Sequence, residues 1–224
     1  MTCDQQRFER DVASHEMTVI REDGVNRHLR FKKSGSSSYW FEILTWPNAL
    51  CLHGDMGTYV FSRLTDMFEF FRTDQKRANE GELRINLGYW SEKLQAVDAN
   101  SRKGSATQFS AEKFTRVINE YRLRWIRDGR DALTKEQRRE LWEAVNDEVL
   151  RYIEDGEHAA YQHAQDFHWA AIPPGRHHTY VFEDLWEHNF EEYTFHFIWC
   201  CYAIAWAIRQ YDAAKVESPA AVAA

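Results

Sequence analysis

Cysteine is scarce in this sequence. Its four cysteines are Cys3, Cys51, Cys200 and Cys201, and no two of them have the CxxC spacing of a redox or zinc site. Disulfide frameworks belong to small secreted chains, so four scattered thiols favour a reduced protein in the cytoplasm. The pattern assigns no role to Cys200 or Cys201 beyond packing.

Long apolar runs are missing as well. The longest, Phe197–Ile208 (FIWCCYAIAWAI), has twelve residues, whereas a transmembrane helix needs about 20. It predicts a buried helix. The first residues, MTCDQQRFERD, carry charges where a signal peptide would have its apolar segment. We therefore expect no membrane partner.

Motifs for catalysis, metals and phosphate groups are absent: the sequence contains no HExxH, GxSxG, GxxxxGK[ST] or GxGxxG. His158, His163 and His168 recur every five residues, which on a helix separates neighbours by about 140° and prevents convergence on one ion. His177 and His178 receive no role. We expect no metal, no cofactor and no assignable catalytic residue. Whether the chain is an enzyme stays open, with the balance against it.

Charge is unevenly distributed. Residues 1–130 hold 18 acidic and 21 basic residues, whereas residues 131–224 hold 17 acidic and 7 basic ones. Overall acidity argues against non-specific nucleic-acid binding. One helical line of Lys113, Arg116, Arg124 and Arg127 could meet a nucleic-acid backbone, but a solvated helix face explains it equally well and is favoured. The acidic rear half admits mimicry of a phosphate backbone, although ordinary acidic helix surfaces are the simpler interpretation.

The first third of the chain has the two-residue period of strands. Strands are predicted at 16–21, 26–33, 39–46, 49–53 and 58–62, separated by short turns that contain Gly or Pro. In the third strand, Tyr39, Phe41 and Ile43 share one face. We expect these five segments to form an antiparallel meander, preceded by a short helix at 5–13.

After Ser62 the apolar spacing becomes helical, and only helices are expected from there on. The predicted helices begin near Ser62, with Ser62 or Thr65 as the cap, and then cover 89–97, 110–127, 134–155, 157–169 and 190–214. The fold class predicted is α+β, with the N-terminal antiparallel meander packed against a mostly helical C-terminal half. A single domain over 1–224 is favoured, with an alternative division into 1–100 and 101–224.

The turn Gly54-Asp55-Met56-Gly57 is the best local candidate for a site. Two glycines bracket Asp55, which allows the backbone to approach something closely. The predicted binding residues, for an anionic or aromatic ligand, are Arg30, Trp46, His53, Asp55, Arg63 and Arg72. The competing interpretation is that the glycines supply turn geometry and Asp55 bonds to its own loop.

Three segments carry a resemblance: HEMTVIREDGVNRHLRF, YWFEILTWPNALCLHGDMGTYVFSRLTDMFEFFR and, more weakly, RINLGYWSEKLQA. They resemble a family of uncharacterised bacteriophage and prophage proteins marked by the string TWP…GDMG…FSR…DMF.FFR. The likeness covers about the first hundred residues. Because that family has no established activity, it assigns no site residue here. It implies a phage-encoded protein in the bacterial cytoplasm. Asn48 stands where the family pattern has Gly.

These observations favour a protein that acts by binding. The leading hypothesis is a phage accessory or host-takeover protein that binds a host macromolecule, with a host protein as the favoured partner and inhibition of host defence as the most specific form. The alternative is a small-ligand-binding protein or enzyme whose pocket lies between the meander and the helices, formed by Arg30, His53, Asp55 and Arg63. Nucleic acid is a less favoured partner, and a homo-oligomer stays open.

Overall fold

The computed structural model describes residues 2–98, 105–129, 133–171 and 178–217. It confirms the α+β class. The chain forms two compact units: unit 1 comprises the chain up to Thr107 and from Tyr193 onward, and unit 2 comprises Gln108–Glu192. The single domain over 1–224 stays a prediction.

Unit 1 contains a six-stranded antiparallel sheet in which each strand pairs with the next along the chain. The strands are β1 (Glu16–Asp23), β2 (Asn26–Lys32), β3 (Phe41–Trp46), β4 (Ala49–Gly54), β5 (Gly57–Ser62) and β6 (Leu94–Val97). The first five confirm the predicted meander. The sixth corrects the helix predicted over 89–97, because only α3 (Leu87–Ser91) is helical there.

One face of this sheet is covered by helices. The covering helices are α1 (Gln5–Val12), α2 (Met67–Gln75) and α7 (Phe195–Glu217). Phe31 and Phe41 stack with ring centroids 4.8 Å apart, and Trp206 of α7 meets Phe31 edge to face at 5.4 Å. The strand residues that fill this core are fully buried: Leu29, Phe31, Phe41, Ile43, Leu50, Leu52, Tyr59 and Phe61. The predicted central helix is therefore confirmed as α7, although it begins at Phe195 rather than near 190.

Local side-chain chemistry sets the turn after β3 and the start of α2. Asn48 has φ +71°, a left-handed conformation that Asn and Gly adopt more readily than other residues. The cap of α2 is Asp66, whose side chain accepts the Phe68 N–H, and not Ser62 or Thr65 as predicted. The helix starts later because Ser62 is the last residue of β5.

Unit 2 has its own core and its own helices. These are α4 (Ala111–Asp128), capped by Ser110, α5 (Lys135–Glu148), whose Thr134 forms a capping box, and α6 (Glu157–Asp166). The two predicted caps are confirmed. The predicted 134–155 helix is broken, because Leu150–Asp155 forms a 3₁₀ segment. The core contains Phe114, Val117, Ile118, Leu141, Val145, Ala160, Ala164 and Phe167.

Four short strands occur after Ser62 besides β6, which corrects the expectation of helices only. They are β7 (Thr107–Phe109), β8 (Trp169–Ala171), β9 (His178–Tyr180) and β10 (Glu191–Tyr193). β8 pairs with β9, and β7 pairs with β10. Each has three residues, too few to display a two-residue period. Among the helices that the structure describes, none combines the length and apolar character needed to cross a membrane.

Candidate functional site

The side of the unit 1 sheet opposite the helices is the candidate site, and we call it the outer face. Residues with the opposite parity to the buried core residues point to it. Leu44, Cys51 and Val60 form a half-buried apolar row across three adjacent strands, with each registered against the next. The outer face comprises His28, Arg30, Glu42, Leu44, Trp46, Cys51, His53, Thr58 and Val60.

A polar row lies beside the apolar row, with Glu42 at its centre. Glu42 Oε1 accepts a hydrogen bond from Arg30 Nε at 2.6 Å, and its Oε2 lies 2.6 Å from His28 Nε2. The Glu42 side chain is only 12% exposed. Burial raises its pKa, but the bonds from His28 and Arg30 outweigh burial and hold the pKa below its ordinary value. The carboxylate thereby fixes two basic side chains on an open surface.

His53 continues this row on the next strand. It is registered opposite Glu42 on one side and Thr58 on the other. Its Nδ1 lies 2.9 Å from the Thr58 hydroxyl, and its ring meets the Trp40 ring edge to face at 5.3 Å. The structure therefore brings Arg30 and His53, two of the predicted residues, to the same end of the outer face.

Trp46 and Arg63 occupy the other end of the strands. Trp46 is four residues beyond Glu42 along β3, a distance of about 13 Å, and it is 42% exposed. Arg63 follows Ser62, which is registered against Ala49 beside Trp46. Arg63 is exposed, and its backbone N–H donates to Met67 Sδ at 3.2 Å. The residues predicted to form one binding site therefore lie at two ends of the sheet.

Asp55 and its turn have a structural role. The Asp55 carboxylate accepts the backbone N–H of Tyr39 at 2.8 Å, and Tyr39 has φ +58°, an uncommon conformation for a residue with a large side chain. A Cβ on Gly54 would lie 2.3 Å from the Trp40 carbonyl oxygen. The predicted close backbone approach is real, but what approaches is the chain's own segment. This geometry favours the interpretation in which Asp55 bonds within the protein.

Arg72 lies away from the outer face, on α2. Its guanidinium donates to both carboxylate oxygens of Asp212 on α7, at 2.9 and 2.5 Å, and to Glu69 at 2.7 Å. The bond to Asp212 raises the pKa of Arg72. Arg72 and Asp212 line a groove of about 460 Å³ between α2, the following loop and α7, together with Asn79 and Val216. Arg72 therefore joins two helices, and its free donors are few.

The basic line on α4 is mostly satisfied within unit 2. Lys113 donates to the Glu191 carbonyl, and Arg116 lies 3.9 Å from Glu120. Arg124 lies over the Tyr121 ring at 4.9 Å, and Arg127 pairs with its neighbour Asp128 at 3.5 Å. These contacts support the solvated-face interpretation of Lys113, Arg116, Arg124 and Arg127.

Arg122 of α4 is the one charged residue among the buried core positions of unit 2 that the structure describes; its side chain packs against α5. Arg122 is 6% exposed, lies 3.4 Å from the centre of the Trp142 ring and donates to Asn146 at 2.6 Å. Its Nε has no hydrogen-bond partner, and burial lowers its pKa. No carboxylate neutralises it in the described part of the chain. The buried Arg122 guanidinium therefore lowers the stability of the fold and is not a ligand site, because the groove beside α4 is lined by other residues.

Histidines and cysteines form no metal site in the ranges that the structure covers. His163 stacks on Tyr152 with ring centroids 3.5 Å apart. His177 and the side chain of His178 lie outside the described residues. All four cysteines are free thiols, and burial raises the pKa of Cys200 and Cys201 well above the ordinary value. Buried, protonated thiols pack as small apolar groups.

Sequence reasoning missed the residue that organises the outer face, Glu42. Part of the signal for Glu42 was present in the sequence. The two-residue period places its side chain on the same face of β3 as Trp46 and on the other face from Phe41. What the period could not supply was the register that sets Glu42 between Arg30 and His53.

A comparison of the chain with family models, curated proteins and solved structures finds no match.

Proposed function

We propose that this chain is a binding protein whose partner, a host protein, docks on the outer face of the unit 1 sheet. The observation that carries this proposal is the arrangement of that face: an apolar row, a carboxylate-fixed basic row and an exposed Trp46 on one rigid sheet. Rigid strands hold such groups in place before a partner arrives, which reduces the entropy lost on binding.

The side chains of the outer face are of the kinds that dominate protein interfaces. Trp and Arg are enriched at binding hot spots, where a ring fills a pocket and a guanidinium donates several bonds. Arg30 is 48% exposed on its side chain while Glu42 holds its Nε, so its remaining donors face outward. The half-buried Leu44 and Val60 supply apolar area between these polar groups.

The biological setting of the proposal comes from the resemblance to phage and prophage proteins. It supports an accessory or host-takeover protein that acts in the bacterial cytoplasm, and binding to a defence component is its most specific form. A protein that acts by occupying a host surface requires a docking face and no catalytic group. The outer face of unit 1 offers an exposed surface of this kind.

The experiment is an affinity purification of the tagged protein from its bacterial host, with mass spectrometry of bound proteins. Trp46→Ala is the test variant and Trp186→Ala the matched control, because Trp186 is a 76% exposed tryptophan in unit 2. We expect one stoichiometric protein to be retained by the parent chain and by Trp186→Ala and to be lost with Trp46→Ala. A partner retained equally by all three, or no partner at all, contradicts the proposal.

The alternative of a small-ligand binder has one observation in its favour, the groove beside Arg72. Its predicted form is not supported, since Arg30 and His53 lie on the face opposite the helices and the space between sheet and helices is filled by core side chains. A thermal-shift series with nucleotides and small anions tests the groove. A rise in midpoint that Arg72→Ala removes favours this alternative.

A further inference from the structure

β1 forms one edge of the sheet, and every β1 residue except Met17 is exposed. Val19 and Ile20 are each 45% exposed. Within the part of the chain that the structure describes, β1 forms backbone ladder bonds to β2 alone. A long edge strand with exposed apolar residues is a template for pairing with another strand.

The register of β1 fixes which side each residue faces. Glu16, Thr18 and Arg21 are opposite Lys32, Arg30 and His28, so they belong to the outer face. Met17 and Val19, opposite Phe31 and Leu29, point to the helix side. The irregularity between Val19 and Arg21 makes Ile20 an extra residue, and this is why Glu16 and Arg21 share a face although they are five residues apart.

We infer that β1 pairs antiparallel with β1 of a second copy of this chain, forming a twofold-symmetric dimer centred on Thr18. This register sets Glu16 opposite Arg21 of the other copy twice, and Met17 opposite Val19 twice. Thr18 faces itself at the axis. Each cross-strand pair then joins opposite charges, apolar groups or hydroxyls, all on matching faces. The neighbouring register, centred on Val19, places Glu16 opposite Asp23 and is disfavoured by repulsion.

The strand is prepared for such pairing by contacts at its far end. Glu22, which points to the helix side, accepts a hydrogen bond from the Tyr211 hydroxyl at 2.5 Å and pairs with Lys215. These bonds tie the end of β1 to α7. Among the residues that the structure describes, the ion-pair partner of Arg21 is Asp23 at 3.5 Å, with side chains 65% and 73% exposed. Arg21 can therefore exchange this weak contact for Glu16 of another copy. The dimer presents both outer faces on the same side of a twelve-stranded sheet.

The test uses complementary charge reversals, followed by sedimentation equilibrium of the full chain. Glu16→Arg places two arginines opposite each other in each cross-strand pair of positions 16 and 21, and Arg21→Glu places two glutamates there. We expect the parent chain to dimerise and each single variant to weaken dimerisation by roughly tenfold or more. An equimolar mixture of the two variants should recover the parent affinity as a heterodimer, because every pair across the interface is again of opposite charge. The double variant should recover it as a homodimer.

These outcomes separate the inference from a folding defect and from other occupants of the edge. Circular dichroism of each single variant controls for folding, and recovery in the mixture shows that both chains are intact. A parent chain that stays monomeric at about 100 µM, where a dimer with a Kd of about 10 µM would be mostly assembled, overturns the inference and leaves the edge to a different partner. A dimer that ignores both reversals overturns the register. Neither result depends on the host partner proposed for the outer face.

Discussion

Asp66 carries two stabilising roles at once, and separating them is the sharpest test of how unit 1 is held together. Its Oδ1 accepts the Phe68 N–H at 2.9 Å and so caps α2. The same carboxylate accepts two bonds from Arg27 of β2, at 2.9 and 2.8 Å. The Arg27 side chain is 9% exposed and its guanidinium lies 4.6 Å from the Phe68 ring centre.

Two substitutions separate the cap from the ion pair. Asp66→Asn keeps the cap, since Asn caps as well as Asp, but removes the carboxylate that accepts two hydrogen bonds from the buried Arg27. Breaking a buried pair costs about 3–5 kcal/mol; with Asp66 23% exposed, we expect about 2–3 kcal/mol. Asp66→Ala should cost about 1 kcal/mol more, the usual value of a lost cap.

The assay is urea unfolding followed by circular dichroism, with the free energy of unfolding compared among the parent, Asp66→Asn, Asp66→Ala and the double variant Arg27→Met/Asp66→Asn. The double variant should be more stable than Asp66→Asn alone, because it removes the uncompensated cation. If the free energy of unfolding of Asp66→Asn lies within about 0.5 kcal/mol of the parent value, the Arg27–Asp66 pair contributes no more than an exposed ion pair, which contradicts this prediction.

The same pair predicts a pH dependence. Burial raises the pKa of Asp66, but the bonds from Arg27 and the Phe68 N–H outweigh it, so the folded pKa lies below the unfolded value. A depressed carboxyl pKa contributes stability that is present above the unfolded value, about pH 4, and is lost as the pH falls through the folded pKa. Asp66→Asn should therefore lose less stability than the parent below about pH 4.

Three further outcomes are expected. Gly54→Ala should lower the free energy of unfolding in urea by about 2–3 kcal/mol, because its Cβ would meet the Trp40 carbonyl oxygen at 2.3 Å. Gly88→Ala is the control and should be neutral or stabilising, because its Cβ would have no neighbour within 4 Å. Equal effects of the two variants would contradict this prediction. Glu42→Gln should flatten the loss of stability below about pH 4, because the depressed pKa of Glu42 contributes stability that is present above the unfolded value and is lost as the pH falls through the folded pKa. An unchanged acid limb in thermal melting would contradict this prediction. Arg122→Met should keep or raise the melting temperature, because it removes a buried cation without a counter-charge, and a loss beyond about 2 kcal/mol would show that the stacked guanidinium is stabilising.

Local pattern was enough for much of the fold. The alternation in β3 identified which residues are buried, and Ser110 and Thr134 marked the starts of α4 and α5. Both signals act over a few residues, through the two-residue period of a strand and the side-chain bond of a cap. β6 escaped prediction because it has four residues and none of them is fully buried, so its pairing with β5 leaves no pattern in the sequence.

The candidate site divides in the same way. The sequence by itself determined that Arg30 and Trp46 lie on the polar side of their strands, because side-chain direction follows from the strand period alone. Only the tertiary structure decided that Asp55 accepts a hydrogen bond from the Tyr39 N–H and that Arg72 donates to Asp212, 140 residues away. A charged residue carries no local mark of its partner: whether it binds a ligand or its own chain depends on which distant segments folding brings within hydrogen-bond distance.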